Sequence, residues 1–173
     1  LKDVDAIVVP VGGGGLISGV AFAVKSLNPR IKVYGVQAAG APSMIQSLEH
    51  HKIEMLPSVS TIADGIAVKE PGVHTFKFCE KYVDGMVSVT DDQVSAAILA
   101  LIEKQKMIAE GAGAVSLAAV MFGKIPDIAG KKVVCLISGG NIDVTILSRV
   151  INRGLLMSGR TTTMTIELVD KPG

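Results

Sequence analysis

The sequence predicts an α/β protein built on a doubly wound, mostly parallel sheet. Short β-branched segments bounded by glycine or proline alternate along the chain with segments of helical periodicity. Of the 173 residues, 49% are hydrophobic and only 19% are charged, which is enough apolar material for a core. Aromatic residues make up only 3%, so the core is expected to consist of Val, Ile, Leu, Ala and Met.

The first half of the chain opens with two strands and two helices. "VDAIVV" (4–9) is short, β-branched and followed by Pro and Gly, as is typical of a buried strand. A helix is predicted over 16–27, where "NPR" ends it, and "IKVYGVQ" (31–37) is the second strand. Pro42 suits the first position of a helix over 42–51.

The middle of the chain is less regular before it becomes helical again. It is predicted to contain a loose stretch (52–72) with "TIADG" and "EPG", a short helix (73–83) and a short strand (85–89). Thr90 and Gln93 have the spacing of a capping box, which predicts the start of a long helix over 91–107.

The second half ends the alternation. "EGAGA" (110–114) interrupts the long helix, and a helix of small residues follows to Gly123. "KVVCLIS" (132–138) is another buried strand, and a helix is predicted over 142–153, with Gly154 at a position that favours a C-cap.

The tail has a different pattern. In "TTTMTIELV" (161–169) apolar and polar residues alternate, which predicts a half-buried strand with one wet face. We therefore expect a domain over 1–153, a linker over 154–160, and the beginning of a second domain over 161–173. The chain has no initiator Met and ends at "DKPG", so a fragment of a longer protein is expected.

The composition excludes several classes of function. The net charge is +1 and Lys and Arg are scattered, so neither nucleic acid nor an anionic membrane is an expected partner. Residues 6–24 carry no charge, but Pro10 and the glycines argue against a membrane-spanning helix there. Two separate cysteines, Cys79 and Cys135, fit a reduced cytoplasmic protein. The three histidines lack metal-ligand spacing, so no metal site is expected.

Four consecutive glycines, Gly12 to Gly15, stand between the first strand and the first helix. The first amides of a helix have no partner within it, and its dipole adds positive charge there, so a glycine loop can surround an anion. Each charge-assisted hydrogen bond contributes about 1.5–3 kcal/mol. The alternative is a tight turn without a ligand, although such a turn needs only one or two glycines.

Two common phosphate motifs fail at this loop. The dinucleotide pattern G-x-G-x-x-G requires glycine where Ile17 or Ser18 stands. The P-loop spacing from Gly14 to Gly19 is present, but Val20 occupies the position of the lysine. Neither a dinucleotide nor a nucleoside triphosphate is therefore favoured.

Two further segments contain candidate site residues. Ser138, in "ISGGN", lies at the carboxyl end of a predicted strand, and ligands of open α/β sheets bind at such strand ends. Its alternative role is to cap the next helix. Glu110, in "EGAGA", is either a solvated helix end or a carboxylate of the site, and its spacing does not separate the two.

Together, "VPVGGGGLISG", "TIADG", "EGAGA" and "SGGN" resemble the second half of the threonine/serine dehydratases. These are pyridoxal-phosphate (PLP) enzymes of the tryptophan-synthase-β fold type, called fold type II. The resemblance covers residues 1 to about 153 and has the motifs in the family's order. The tail is similar to the linker and first strand of an ACT regulatory domain, which some members carry.

The resemblance implies roles for the candidate residues. The backbone of Gly12, Gly13, Gly14, Gly15 and Leu16 would hold the cofactor phosphate, and Ser138 would hydrogen-bond the pyridine nitrogen. A carboxylate there would keep the ring protonated, whereas a serine leaves it largely neutral, which favours elimination of the substrate's β-hydroxyl over transamination.

The resemblance also shows what is lacking. The family's Schiff-base lysine lies upstream of the glycine loop in a Ser-Phe-Lys motif, which this sequence does not contain. Lys77, in "TFK", lies downstream of the loop and is expected to be an ordinary exposed lysine. The chain alone is therefore expected to be inactive.

Related serine racemases bind a divalent cation with carboxylates just after the second strand. The matching positions here are Gln37 and Ser43, both neutral, so that site is expected to be absent or weak.

The resemblance implies that the full-length protein converts L-threonine to 2-oxobutanoate and ammonia, as in isoleucine biosynthesis. A serine-preferring dehydratase and a non-catalytic regulatory module that binds PLP or an amino acid remain alternatives. A cytoplasmic homo-oligomer with an amino-acid effector at the ACT domain is expected.

Overall fold

The computed structural model describes residues 3–168, and these form a four-stranded parallel sheet with helices on both faces. The strands, in chain order, are β1 (Ala6–Pro10), β2 (Lys32–Ala38), β3 (Gly85–Val89) and β4 (Val133–Cys135). Their order across the sheet is β3-β2-β1-β4, and all three pairings are parallel. The predicted fold class is confirmed.

The helices are α1 (Gly15–Leu27), α2 (Ser43–Glu49), α3 (Val73–Tyr82), α4 (Asp91–Ala100), α5 (Gly111–Met121) and α6 (Val144–Met157). A short 3₁₀ helix spans Asp64–Ile66. Helix α4 continues as a π-helical turn, Leu101–Gln105, and Lys106 ends it with a left-handed φ of 57°. The predicted helix over 91–107 is thus divided into two geometries.

Alternate side chains of β1 enter two separate layers of the core. Ile7 and Val9 pack with residues of α1, α2 and α3, whereas Val8 packs with residues of α4, α5 and α6. Because successive side chains of a strand point to opposite faces, a fully apolar strand can fill both layers. This explains why β1 lacks the polar alternation of a half-exposed strand.

Several predicted boundaries agree with the structure to within two residues. Strand β3 begins and ends as predicted, and the capping box of Thr90 and Gln93 forms with both of its hydrogen bonds. Pro42 lies one residue before α2 rather than inside it. Strand β4 is shorter than the predicted 132–138, although the amide of Leu136 still donates to the carbonyl of Val8 at 3.0 Å.

The prediction that Gly154 ends the last helix is wrong. Helix α6 continues through Gly154 to Met157, and the left-handed glycine that follows it is Gly159, with a φ of 68°. A Cβ atom at Gly154 would lie only 2.9 Å from the carbonyl oxygen of Ser95 in α4. Gly154 therefore allows α6 and α4 to approach closely, so that the glycine at 154 is explained by packing.

The predicted strand over 161–169 does not form in the part of it that the structure describes. Residues 161–168 have no regular secondary structure, and the side chains of Met164, Ile166 and Leu168 are exposed. A strand needs a neighbour that completes its hydrogen bonds, and none of β1 to β4 pairs with this segment. Residues 1–2 and 169–173 lie outside the described residues, and the ACT assignment stays a prediction.

The strand order places β1 at a topological switch point. The chain passes from β1 to β2 on one side of the sheet, while β4 pairs with the other side of β1. The loops that follow β1 and β4 therefore lie side by side at the carboxyl ends of the strands, where open α/β sheets bind ligands.

Candidate active site

The glycine loop joins β1 to α1, and Gly14 is the residue that caps the helix. Its φ of 94° is left-handed, and a Cβ atom there would lie 2.5 Å from Cε of Met44 and 2.9 Å from Cβ of Thr75. Conformation and space both require glycine at position 14.

The neighbouring glycines have other surroundings. A Cβ atom at Gly12 would lie 3.1 Å from Cα of Ile66, whereas one at Gly15 would meet no atom within 4 Å. Packing within the described chain does not require glycine at position 15. The missing side chain leaves open space at the helix N-terminus, which is where an anion could approach the backbone.

The amides of the loop are available to a ligand. Within residues 3–168, the N–H groups of Gly12 to Leu16 donate to no other residue. The first turn of a 13-residue helix adds the positive end of its dipole at the same place. This arrangement fits a phosphate group.

One pocket of about 240 Å³ brings together residues of all four sequence motifs. It is lined by Pro10, Gly12, Gly13, Gly14, Gly15, Leu16, Gly65, Ile66, Glu110, Ala112 and Ser138. The predicted site residues, which are up to 126 positions apart (Gly12 to Ser138), thus share one cavity. Their roles towards a cofactor stay predictions.

Ser138 lies just beyond β4 and its side chain is exposed to the pocket. The N-cap residue of α6 is Asp143, five positions further along the chain (143 − 138), so Ser138 does not cap that helix. Its hydroxyl can donate or accept one hydrogen bond with a ligand.

Glu110 stands at a helix end and also lines the pocket, and its role as a site carboxylate stays a prediction. It is the N-cap residue of α5, but its side chain makes no capping bond. Its amide donates to the carbonyl of Gly139 at 3.1 Å, and its carboxylate lies where a Cβ atom of Gly139 would be. Glycine at 139 thus makes room for this carboxylate beside Ser138.

The segment before Gly65 and Ile66 is held by hydrogen bonds to an aspartate that the sequence analysis did not single out. Asp91 accepts hydrogen bonds from Oγ1 of Thr61 at 2.6 Å and from the amide of Ile62 at 3.2 Å. The first turn of α4 thereby positions the "TIADG" segment against the pocket. These partners are 29 and 30 residues apart, so no local sequence signal identifies them.

A larger cavity of about 660 Å³ lies between this segment and α6 and shares Glu110 with the pocket. It also contains Asp64, Arg149 and Arg153, but none of the glycine-loop residues line it. It therefore does not include the glycine-loop amides.

Three other residues singled out in the sequence lie away from the pocket. Lys77 is exposed on α3, as expected for an ordinary surface lysine. Gln37 is fully buried, and its amide oxygen accepts the N–H of Ile45 in α2 at 2.9 Å. Ser43 is also fully buried, at the start of α2. Among residues 3–168, no three His, Cys, Asp or Glu side chains lie close enough to form a metal-binding group.

The comparison with known families decides the classification. A profile described as "Pyridoxal-phosphate dependent enzyme" matches residues 1–139. The chain belongs to this family. The predicted cofactor class is therefore confirmed, and the relatives described next confirm the predicted recognition and fold type, whereas the ACT portion stays a prediction.

Individual family members show how much of a relative this chain covers. It is 54% identical to an L-threonine ammonia-lyase of Thermotoga maritima over all 173 residues, which are 43% of that relative. The structure of a processed threonine deaminase isoform 2 from Solanum lycopersicum is 41% identical, with a TM-score of 0.82 over 90% of this chain and 43% of that one. A maize serine racemase is 34% identical, with a TM-score of 0.79 over 88% of this chain and 49% of that one.

The chain thus spans less than half the length of these relatives. No helix among the described residues has the length and apolar character needed to cross a membrane.

Proposed function

We propose that the full-length protein is a PLP-dependent threonine ammonia-lyase that converts L-threonine to 2-oxobutanoate and ammonia. The observation that carries the proposal is the meeting of the glycine-loop amides and Ser138 in one pocket at the switch point of the sheet. The identity of 54% to an L-threonine ammonia-lyase over the entire chain supports the choice of reaction.

The residues of this chain would bind and orient the cofactor. The amides of Gly12 to Leu16 would donate to its phosphate, and the α1 dipole would stabilise the negative charge. The hydroxyl of Ser138 would hold the ring nitrogen without protonating it. Bound PLP would supply the electron sink for loss of the substrate's α-proton and β-hydroxyl. Water is lost in that step and taken up again in the hydrolysis that releases ammonia.

A lysine for the cofactor aldehyde is the part of the site that the described pocket does not contain. None of the described residues that line it is a lysine. We propose that this lysine comes from the part of the protein that the relatives have and this chain does not span. This accounts for the expectation that the chain alone does not turn over substrate.

The assembly and regulation of the full-length protein belong to the same proposal. We propose a cytoplasmic homo-oligomer in which an ACT domain binds an amino-acid effector. The alternating apolar side chains of 161–168, exposed in this chain, are the feature that favours a partner strand for this segment.

The test is the visible absorbance of the full-length protein with and without L-threonine, together with an assay of 2-oxobutanoate. We expect an absorbance band of bound PLP that changes on addition of L-threonine, and a higher kcat/KM for L-threonine than for L-serine. Preference for L-serine would favour the serine dehydratase alternative, and bound PLP without turnover would favour the non-catalytic one.

Ser138 is tested in the same assay. Ser138→Ala should retain PLP, because the phosphate is held elsewhere, but should lower kcat. Ser148→Ala, which removes an exposed hydroxyl from α6, is the matched control. Unchanged turnover in the Ser138 variant would remove this residue from the site.

A further inference from the structure

The glycine loop is held from outside the pocket by the beginning of α3. Oγ1 of Thr75 donates to the carbonyl oxygen of Gly13 at 2.5 Å, and the amide of Gly72 donates to the same oxygen at 3.2 Å. A second acceptor, the carbonyl of Gly72, lies 3.0 Å from the same hydroxyl. A hydroxyl has one proton and can donate to only one of these two oxygens, and the carbonyl oxygen of Gly13 is the closer acceptor.

These two bonds determine the direction of the next amide. The carbonyl of Gly13 and the N–H of Gly14 belong to one planar, trans peptide group, so they point in opposite directions. Because the carbonyl points to α3, the N–H of Gly14 points away from α3, and both residues of this peptide line the pocket.

This peptide group needs an external restraint. It joins two glycines, which lack the Cβ atoms that restrict backbone rotation elsewhere. If the group rotated by half a turn, the Gly13 carbonyl would face the pocket in place of the Gly14 amide. An oxygen dipole there would repel an anion instead of binding it.

We propose that Thr75 is a positioning residue that keeps the Gly13–Gly14 peptide in the orientation that binds the phosphate. The inference rests on the proposed function, since it concerns the same site, but it assigns a role to a residue outside the pocket lining. Thr75 is itself positioned, because its carbonyl accepts a hydrogen bond from Oγ of Ser18 in α1 at 3.3 Å.

The experiment compares Thr75→Val, Thr75→Ser and Thr145→Val in the full-length protein. Valine has nearly the shape of threonine without the hydroxyl, and serine restores the hydroxyl. Thr145 is exposed on α6 and serves as the matched control. The probes are PLP and pyridoxal, which lacks the phosphate, titrated by absorbance, with the ³¹P NMR shift of bound PLP as a second readout.

We expect Thr75→Val to weaken PLP binding about tenfold, equivalent to about 1.4 kcal/mol, and to shift the ³¹P signal. Pyridoxal should bind this variant as it binds the wild type. Thr75→Ser and Thr145→Val should bind both probes normally.

Each other outcome overturns a defined claim. Equal loss of PLP and pyridoxal, or no rescue by serine, would show a general structural defect and overturn the positioning role. A Thr75→Val variant that binds PLP normally would do the same while leaving the proposed function intact. A wild-type protein that binds no PLP would overturn both.

Discussion

Gly14 and Gly15 are neighbours in the sequence, but their Cβ positions have different surroundings. At Gly14 a side chain would meet Met44 and Thr75 in a left-handed backbone, whereas at Gly15 it would meet open space. The fold therefore requires glycine at position 14, whereas the packing of the described residues does not require it at position 15. The atoms around each Cβ position distinguish the two glycines.

Gly14→Ala should lower the free energy of unfolding by about 1–3 kcal/mol, because the backbone is strained for a residue with a Cβ atom. Gly15→Ala should leave it unchanged or raise it by up to about 1 kcal/mol, since alanine restricts the unfolded chain. Urea unfolding of the two variants checks this. Equal destabilisation would contradict the difference in packing.

Among residues 3–168, Asp84 is the carboxylate that accepts the most hydrogen bonds. It accepts from Nζ of Lys25 at 2.5 Å, Nζ of Lys32 at 2.9 Å and the amide of Val33 at 2.8 Å. Burial opposes ionisation of Asp84, but these hydrogen bonds outweigh it and lower its pKa. The carboxylate thus connects α1 and β2 to the start of β3.

Because the pKa of Asp84 is lower in the folded state than in the unfolded state, the contribution of Asp84 to the free energy of unfolding decreases as the pH falls. The stabilisation by Asp84 is complete above its unfolded pKa of about 3.9 and is lost as the pH falls through its lower folded value. Asp84→Asn should lower the free energy of unfolding near neutral pH by about 1–3 kcal/mol. The difference between variant and wild type should shrink below about pH 4. A constant difference between pH 7 and pH 3 would contradict this account.

At the scale of elements, the sequence predicted all four strands of the sheet and the helices α1 to α6. It missed the 3₁₀ helix at Asp64–Ile66 and predicted a strand over 161–169 that the described residues 161–168 do not form. The strands are recognisable because short β-branched segments between glycine and proline have few alternatives. The ends of the helices were predicted less accurately, as Gly154 shows. Its place in the sequence suggested a C-cap, but in the structure it allows α6 to pack closely against α4.

Gly154→Ala tests this packing. Although alanine favours helices, its Cβ atom would lie 2.9 Å from the carbonyl of Ser95 and 3.1 Å from Cβ of Leu99, so we expect a loss of about 1–3 kcal/mol in the free energy of unfolding. Gly19→Ala in α1 is the control, since its Cβ atom meets nothing within 4 Å, and it should stabilise by up to about 1 kcal/mol. Stabilisation by both substitutions would contradict close packing at Gly154.

At the scale of the whole molecule, the two layers of the core are separated by the sheet. Cys79 belongs to the layer of α1, α2 and α3, and it is 1% exposed. Burial raises the pKa of the Cys79 thiol to about 11. Cys135 is only partly buried, and burial raises the pKa of its thiol as well. The thiolate, which is the reactive form, is therefore scarce at Cys79 in the folded state.

Labelling with a thiol reagent at pH 8 should accordingly report unfolding of this layer. Cys79 in the folded protein should react about two orders of magnitude more slowly than in urea, from the difference in ionised fraction alone. Mass spectrometry of the labelled peptides gives both rates. Rapid labelling of Cys79 without denaturant would show that the layer opens independently of global unfolding.

The sequence by itself determined the alternating α/β architecture and predicted an anion site at the glycine loop, because both depend on local backbone rules. It predicted Ser138 as a site residue from the rule that ligands bind at the carboxyl ends of strands. Only the tertiary structure decided that Asp91 supports the "TIADG" segment, that Thr75 holds the Gly13 carbonyl, and that α6 continues past Gly154. Those facts depend on contacts between residues that are tens of positions apart. Such contacts form only when the chain has folded, so no local sequence pattern predicts them.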